Sequence, residues 1–147
     1  MAWMILFFLV IGFEVAAAQG NQSAVLLEQR YDRETNPRRQ AGIAQDLLKI
    51  RLEHLRSAYD TGEPEPQKAA LEAYRGALDR LGTAVVAARN AGASKNAEVL
   101  LRRHVRDLEN LKTNVSYLDR PDIERLLQRA TELRAQFLYS VMNPARS

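Results

Sequence analysis

The sequence predicts an all-α protein, an antiparallel bundle of about five helices behind an apolar amino-terminal segment. Aromatic residues make up 7% of the chain, and the alternating runs of Val, Ile and Thr that mark a half-buried strand are missing. Apolar residues recur instead at steps of three and four, the spacing that keeps side chains on one helical face. The prolines at 37, 64, 66, 121 and 144 stand between these periodic stretches or just inside the start of one, where the missing N–H is tolerated.

Met1–Phe13 is almost unbroken apolar sequence, ending at Glu14 before Val15-Ala16-Ala17-Ala18. The run fits an export signal and falls short of the roughly 20 residues that span a bilayer. Ala16 and Ala18 are the small residues expected before a cleavage point, so residues 1–18 are read as a signal peptide cut after Ala18. No Lys or Arg precedes the run. Either the α-amino group carries the leading positive charge alone or the true start lies upstream of Met1; the alternatives to a cleaved signal are an uncleaved membrane anchor, with membrane contact through Met1–Ala18, and an ordinary core helix. Residues 19–147 are read as a single domain, because 147 residues at 46% hydrophobic support one core and not two.

Asn21–Glu34 is the first helix, with Val25, Leu26, Gln29 and Tyr31 facing the core. Asn36-Pro37 breaks it, since proline disfavours helical geometry in the residue before it, and Asn36 becomes the cap of the second helix. That helix runs to about Tyr59 with Ala41, Ala44, Leu48, Leu52 and Leu55 on one face. Gly62 and two prolines separate it from the third, over about Glu65–Asn90. Gly92 suits a left-handed cap and Ser94 an amino-terminal cap, so the fourth helix is expected from Lys95 to about Tyr117. Asp119 is read as the cap of the fifth, with Pro121 just inside it and Ile123, Leu126, Leu127, Ala130, Leu133, Phe137, Leu138 and Val141 on its apolar stripe.

The core is expected where the third and fourth helices fold back on each other. Leu71, Tyr74, Leu78, Leu81 and Val85 form one seam; Leu101, His104, Leu108, Leu111 and Val115, continuing to Leu118, form the other. A short connection favours antiparallel neighbours. Gly76 and Gly82, with Ala77, Ala84, Ala87 and Ala88, make the third helix thin. That permits close packing in the bundle or, alternatively, a groove for another chain.

At Glu34-x-Asn36-Pro37-x-Arg39-x-Ala41, then Asp46-Leu47-Leu48, Leu55, Ala58-Tyr59, Gly62, Ala70-Leu71 and Tyr74, residues 30–80 resemble a group of uncharacterised exported bacterial helical proteins. The same stretch also resembles a tetratricopeptide unit through Tyr59, Ala70, Tyr74 and Ala77, although its turn is lengthened by Glu63–Pro66 and no second copy follows. Such arrays need about three stacked units. The resemblance implies binding to a protein partner and no chemistry.

The residues themselves offer little for catalysis. The chain has no Cys, which excludes disulfides and thiolate metal sites and leaves the compartment open. Its two histidines, His54 and His104, fall in no zinc or di-iron spacing; His104-x-x-Asp107 alone would need ligands from other helices. No phosphate loop, nucleophile elbow or paired carboxylates occur. No cofactor and no metal are expected, and the protein is read as a non-enzyme.

The formal charge is +3, or +4 without residues 1–18, which hold only Glu14. The 17 Arg and 4 Lys are interleaved with acids at helical spacings, as on solvated faces, so nucleic acid is not an expected partner. The densest cluster is Arg102, Arg103 and Arg106. It reads as a solvated face with counter-charges at Asp107 and Glu109, or alternatively as an anion or lipid patch. The expected function is a periplasmic partner-binding, adaptor or structural module whose partner is another protein. The competing readings are an envelope-anchored protein whose basic bundle lies on anionic lipid and, behind it, a metal-binding bundle.

Overall fold

The boundaries of the helices follow from local chemistry. Asn36 sits in extended backbone and its side chain accepts from the amides of Arg38 and Arg39, satisfying donors that have no partner in the first turn. Gly62 closes the same helix in the left-handed region, at φ 73°, where a Cβ would be strained. The computed structural model describes residues 19–144, all of them in helices or short connections: α1 over 19–33, α2 Pro37–Thr61, α3 Pro64–Ala88, α4 Ala91–Asn114 and α5 Arg120–Met142. The signal or anchor expected at Met1–Ala18 lies outside the described residues. Among those described, no helix is long and apolar enough to cross a membrane.

The all-α bundle is present, but its helices pair differently from the expectation. The closest packing is α2 on α3 and α4 on α5. These are two hairpins of equal length, over 37–88 and 91–142. The seams of α3 and α4 do meet, through Tyr74 and His104, whose rings stack with centroids 6.0 Å apart. Two rings between the backbones hold those helices apart, whereas Ala41, Ala44 and Ala77 in the first hairpin and Ala97 and Ala130 in the second are fully or almost fully buried and let backbones approach.

The hairpins stack with like helices side by side. Arg56 of α2 reaches Asp107 of α4 at 3.0 Å. Asp79 of α3 pairs with Arg129 of α5, and Gly82 lies against Leu133 one turn further on, so α3 and α5 advance in the same direction. Within the second hairpin, Glu98 near the start of α4 meets Arg134 late in α5, and Lys112 near the end of α4 meets Glu124 early in α5. That pair is therefore antiparallel.

Helix α1 lies on the first hairpin and runs antiparallel to α2, with Gly20 against His54, Asn21 beside Arg51 and the Tyr31 carbonyl accepting from Gln40. Its inward face is Ala24, Leu27 and Tyr31. Val25 and Leu26, expected inside, are 41% and 59% exposed, and Gln29 is exposed too. Glu28 sets this rotation by turning inward to Arg51 at 2.7 Å.

The α3–α4 connection also differs. The left-handed residue is Arg89, at φ 44°, and the cap is Asn90, which accepts from the Ala93 amide. Helix α4 thus begins at Ala91, and Gly92 and Ser94 fall inside it; Ser94 is buried and caps nothing. Asparagine outcompetes serine here because it stands directly before the first helical residue. At its other end α4 stops at Asn114, so Leu118, expected on the seam, is 86% exposed. Asp119 holds the cap position of α5, but its side chain accepts from Ser116 and leaves the amides of α5 alone.

Candidate functional site

Of the expected seam, Tyr74, Leu78, Leu81, Val85, Leu101, His104 and Leu108 are buried, whereas Leu71, Leu111 and Val115 are half-buried. Val115 lies just past the end of α4, and the helix delivers no side chain fully inward from there. The seam is only half of the core, since Leu47, Leu48 and Leu55 of α2 and Phe137 of α5 are buried as deeply.

The most distinctive opening runs between the two hairpins, along α3 and α5. It has two parts that meet at the Asp79–Arg129 ion pair, which crosses between α3 and α5. One, of about 400 Å³, is lined by Arg75, Asp79, Arg125, Leu126 and Arg129. The other, of about 540 Å³, continues past Gly82, Thr83, Val86, Ala87, Leu133 and Gln136. From Arg75 to Ala87 the groove is about 18 Å long at the helical rise per residue, or about three turns. The first part carries Arg75, Arg125 and Arg129, of which Arg129 pairs with Asp79 across it and Arg125 with Asp122 on its own helix; the second mixes Val86, 67% exposed, and Ala87 with Thr83 and Gln136.

The thin α3 is what shapes this groove. At Gly82 a Cβ would stand 3.0 Å from the Leu133 Cδ2, so this glycine serves close packing between the hairpins. Gly76 faces only the Arg80 guanidinium, at 3.5 Å, and has no such role. Thr83 and Ala87 keep the wall low above Gly82.

One buried polar contact lies outside the residues that line the groove. The Tyr74 hydroxyl and His104 Nδ1 lie 3.0 Å apart in the buried junction of α3 and α4. The contact closes with either partner donating, according to which ring nitrogen carries the imidazole proton. Burial pushes the tyrosine pKa up. It pushes His104 down to about 4; Asp107 opposes that shift, and Arg56 and Lys49 reinforce it. Asp107, one turn from His104, is turned to Arg56. Among the described residues no three His, Asp or Glu side chains are gathered as a metal would need.

The arginine cluster is not one patch. Arg102 is held by Glu98, with Nη2 at 2.7 Å from one carboxylate oxygen, and the same carboxylate accepts from Arg134 Nε at 3.1 Å. Its counter-charge is therefore Glu98 within α4, not Asp107, which serves α2, nor Glu109. Arg103 and Arg106 stay exposed. Glu98 itself, 4% exposed, is a structural residue that the sequence reading missed. Burial raises its pKa, but the hydrogen bonds and charges of Arg102 and Arg134 outweigh this and hold it below the ordinary range. The available signal was its place beside Ala97 and Leu101, one turn before Arg102.

A second cavity, of about 360 Å³, lies between α2 and α3 beside the start of α1 and is walled by Ala58, Ala69, Ala70 and Ala73 with Arg51 and His54 at one end. Arg51 is already committed to Glu28 at 2.7 Å. His54 is held below its ordinary pKa by burial and by Arg51, with Glu53 opposing. Arg51 Nε is buried here with no hydrogen-bond partner among the described residues, so this corner keeps one unanswered donor.

Comparison with protein-family models, with curated proteins and with solved structures finds no match to this chain.

Proposed function

We propose that this protein is a non-enzymatic, exported partner-binding module, and that the groove between α3 and α5 receives a helix of another protein. The observation that supports this reading is the groove itself: it follows about three turns of α3 and sets the exposed Val86 beyond a stretch lined by Arg75, Arg125 and Arg129 with Asp79. An amphipathic helix docks in such a groove through anchors at helical spacing. The arginines favour glutamate or aspartate on the partner and steer its approach. The exported location rests on the Met1–Ala18 sequence, and amino-terminal sequencing of the secreted protein tests it: a chain beginning at Gln19 supports export with cleavage, and intact Met1 in the membrane fraction overturns it.

The docking reading is tested with a labelled amphipathic helical peptide carrying glutamates at one end and leucines along one face. Fluorescence anisotropy should show binding that weakens about tenfold or more in Val86→Glu and in the Arg75→Glu, Arg125→Glu pair, the loss expected of an interface anchor. Binding equal in the parent and both variants contradicts it.

The alternative, a basic face lying on anionic lipid, is favoured by one observation: Arg103 and Arg106 are exposed and in no ion pair among the described residues. Sedimentation with phosphatidylglycerol vesicles at low salt, lost in Arg103→Gln, Arg106→Gln, would move that reading ahead.

A further inference from the structure

The groove takes one wall from each hairpin, so its width follows the way the hairpins are held together. Few side-chain polar contacts cross between them. The Arg56–Asp107 pair and the Asp79–Arg129 pair are both open to water on at least one side. The Tyr74–His104 hydrogen bond is the buried one. We propose that His104 is an acid-operated latch: protonating its ring releases the α4–α5 hairpin from the α2–α3 hairpin and reshapes the groove between α3 and α5.

The chemistry of the junction carries this. The Tyr74 hydroxyl and the neutral imidazole share one hydrogen bond at Nδ1, whichever of them donates. Protonation leaves the hydroxyl only the accepting role and puts a charge in a site that is 3% exposed. The groups facing it do not compensate. From α3 comes only the Tyr74 hydroxyl, and from α2 come two cations, Arg56 and Lys49. On α4 itself Asp107 is the one anion, and Arg56 already holds it. Separating the hairpins lets the imidazolium reach water, where its pKa returns to about 6.5. Between that value and its value of about 4 in the closed state, the open-to-closed ratio rises about tenfold for each pH unit of acidification. The effect on partner binding rests on the docking reading above; the release of the hairpins does not.

The chain has no cysteine, so paired labels report one distance. Spin labels at Thr83→Cys and Gln136→Cys, on the two walls of the groove, should move apart as the pH falls from 7 toward about 4, within the window between the two pKa values. The helical circular dichroism should persist. His104→Gln, polar but without a titrating ring, should stay closed across that range. Lys49→Glu, at an exposed site facing the ring, replaces a cation that disfavours the imidazolium by an anion that favours it in the closed state, so its opening should move to lower pH. Opening of His104→Gln at the same pH as the parent overturns the proposal, as does a parent distance that stays fixed until helix is lost. Should His104→Gln fail to fold, an unshifted midpoint in Lys49→Glu overturns it equally. A parent that opens as described while the acidic peptide binds at no pH supports the latch and rejects the docking site.

Discussion

Replacing Glu98 by Gln removes one negative charge from between two arginines and alters little else in shape. The carboxylate is 5% exposed and accepts from Arg102 at 2.7, 3.0 and 3.3 Å and from Arg134 at 3.1 Å. Hydrogen bonds to charged groups contribute about 1.5–3 kcal/mol each, and breaking a fully buried ion pair costs about 3–5 kcal/mol. The bonds here share two partners that keep access to water, since the Arg102 and Arg134 side chains are 57% and 35% exposed, and both can be solvated again. We therefore expect a loss of about 2–3 kcal/mol at neutral pH, or about 5–10 °C in Tm for a domain of this size. The sign of the pH dependence is fixed. The Glu98 pKa is lower in the folded state than in the unfolded chain, so its contribution is complete above the unfolded value of about 4.3 and is lost as the pH falls through the folded value. Thermal melts of parent and Glu98→Gln should thus lie far apart at pH 7 and draw together on acidification, with the His104 contribution common to both. A variant that melts with the parent at pH 7, or a gap that stays constant with pH, would refute the reasoning.

Leu108→Asp places a carboxylate at a fully buried position, which costs several kcal/mol against a total stability of roughly 5–15 kcal/mol; loss of the circular dichroism signal or a collapse in solubility is expected. Gly62→Ala forces a Cβ into the left-handed conformation at the end of α2 and should lower stability by about 1 kcal/mol in urea titration. Arg103→Gln with Arg106→Gln should change stability by less than about 1 kcal/mol, whereas Arg102→Gln, which takes a partner from Glu98, should cost measurably more in the same titration.

Much of the local structure was legible because single residues dictate it. Asn36-Pro37 fixes the start of α2, Gly62 its end and Pro121 the start of α5, each through a donor, a cap or a dihedral angle that few residues supply. The burial of His104 was legible from its place on the stripe with Leu101 and Leu108. The pairing of helices was not, because the stripes of all four long helices are alike in width and composition. A stripe states that it must be covered and leaves open by which neighbour. The α2–α3 and α3–α4 connections are both short and would each permit a hairpin. What decides between them is bulk at the seam: alanines bring α2 onto α3, while the stacked Tyr74 and His104 rings keep α3 and α4 apart. The groove depends on that pairing, so the sequence indicated a thin α3 without showing that α5 forms the other wall. Glu98 escaped notice for a related reason. Its charge argues for the surface, and only Arg134, 36 residues away, makes its burial tolerable.

Side-by-side packing of α3 and α5 underlies the groove, the docking reading and the latch, and one cross-linking measurement tests it directly. In a chain without cysteine, Asp79→Cys with Arg129→Cys replaces a surface ion pair of 3.3 Å by two thiols. A short bifunctional maleimide should join them within one molecule at neutral pH, giving a loop-closed monomer of faster gel mobility. A helical, folded double variant that forms no intramolecular link would place α3 and α5 apart and contradict the account.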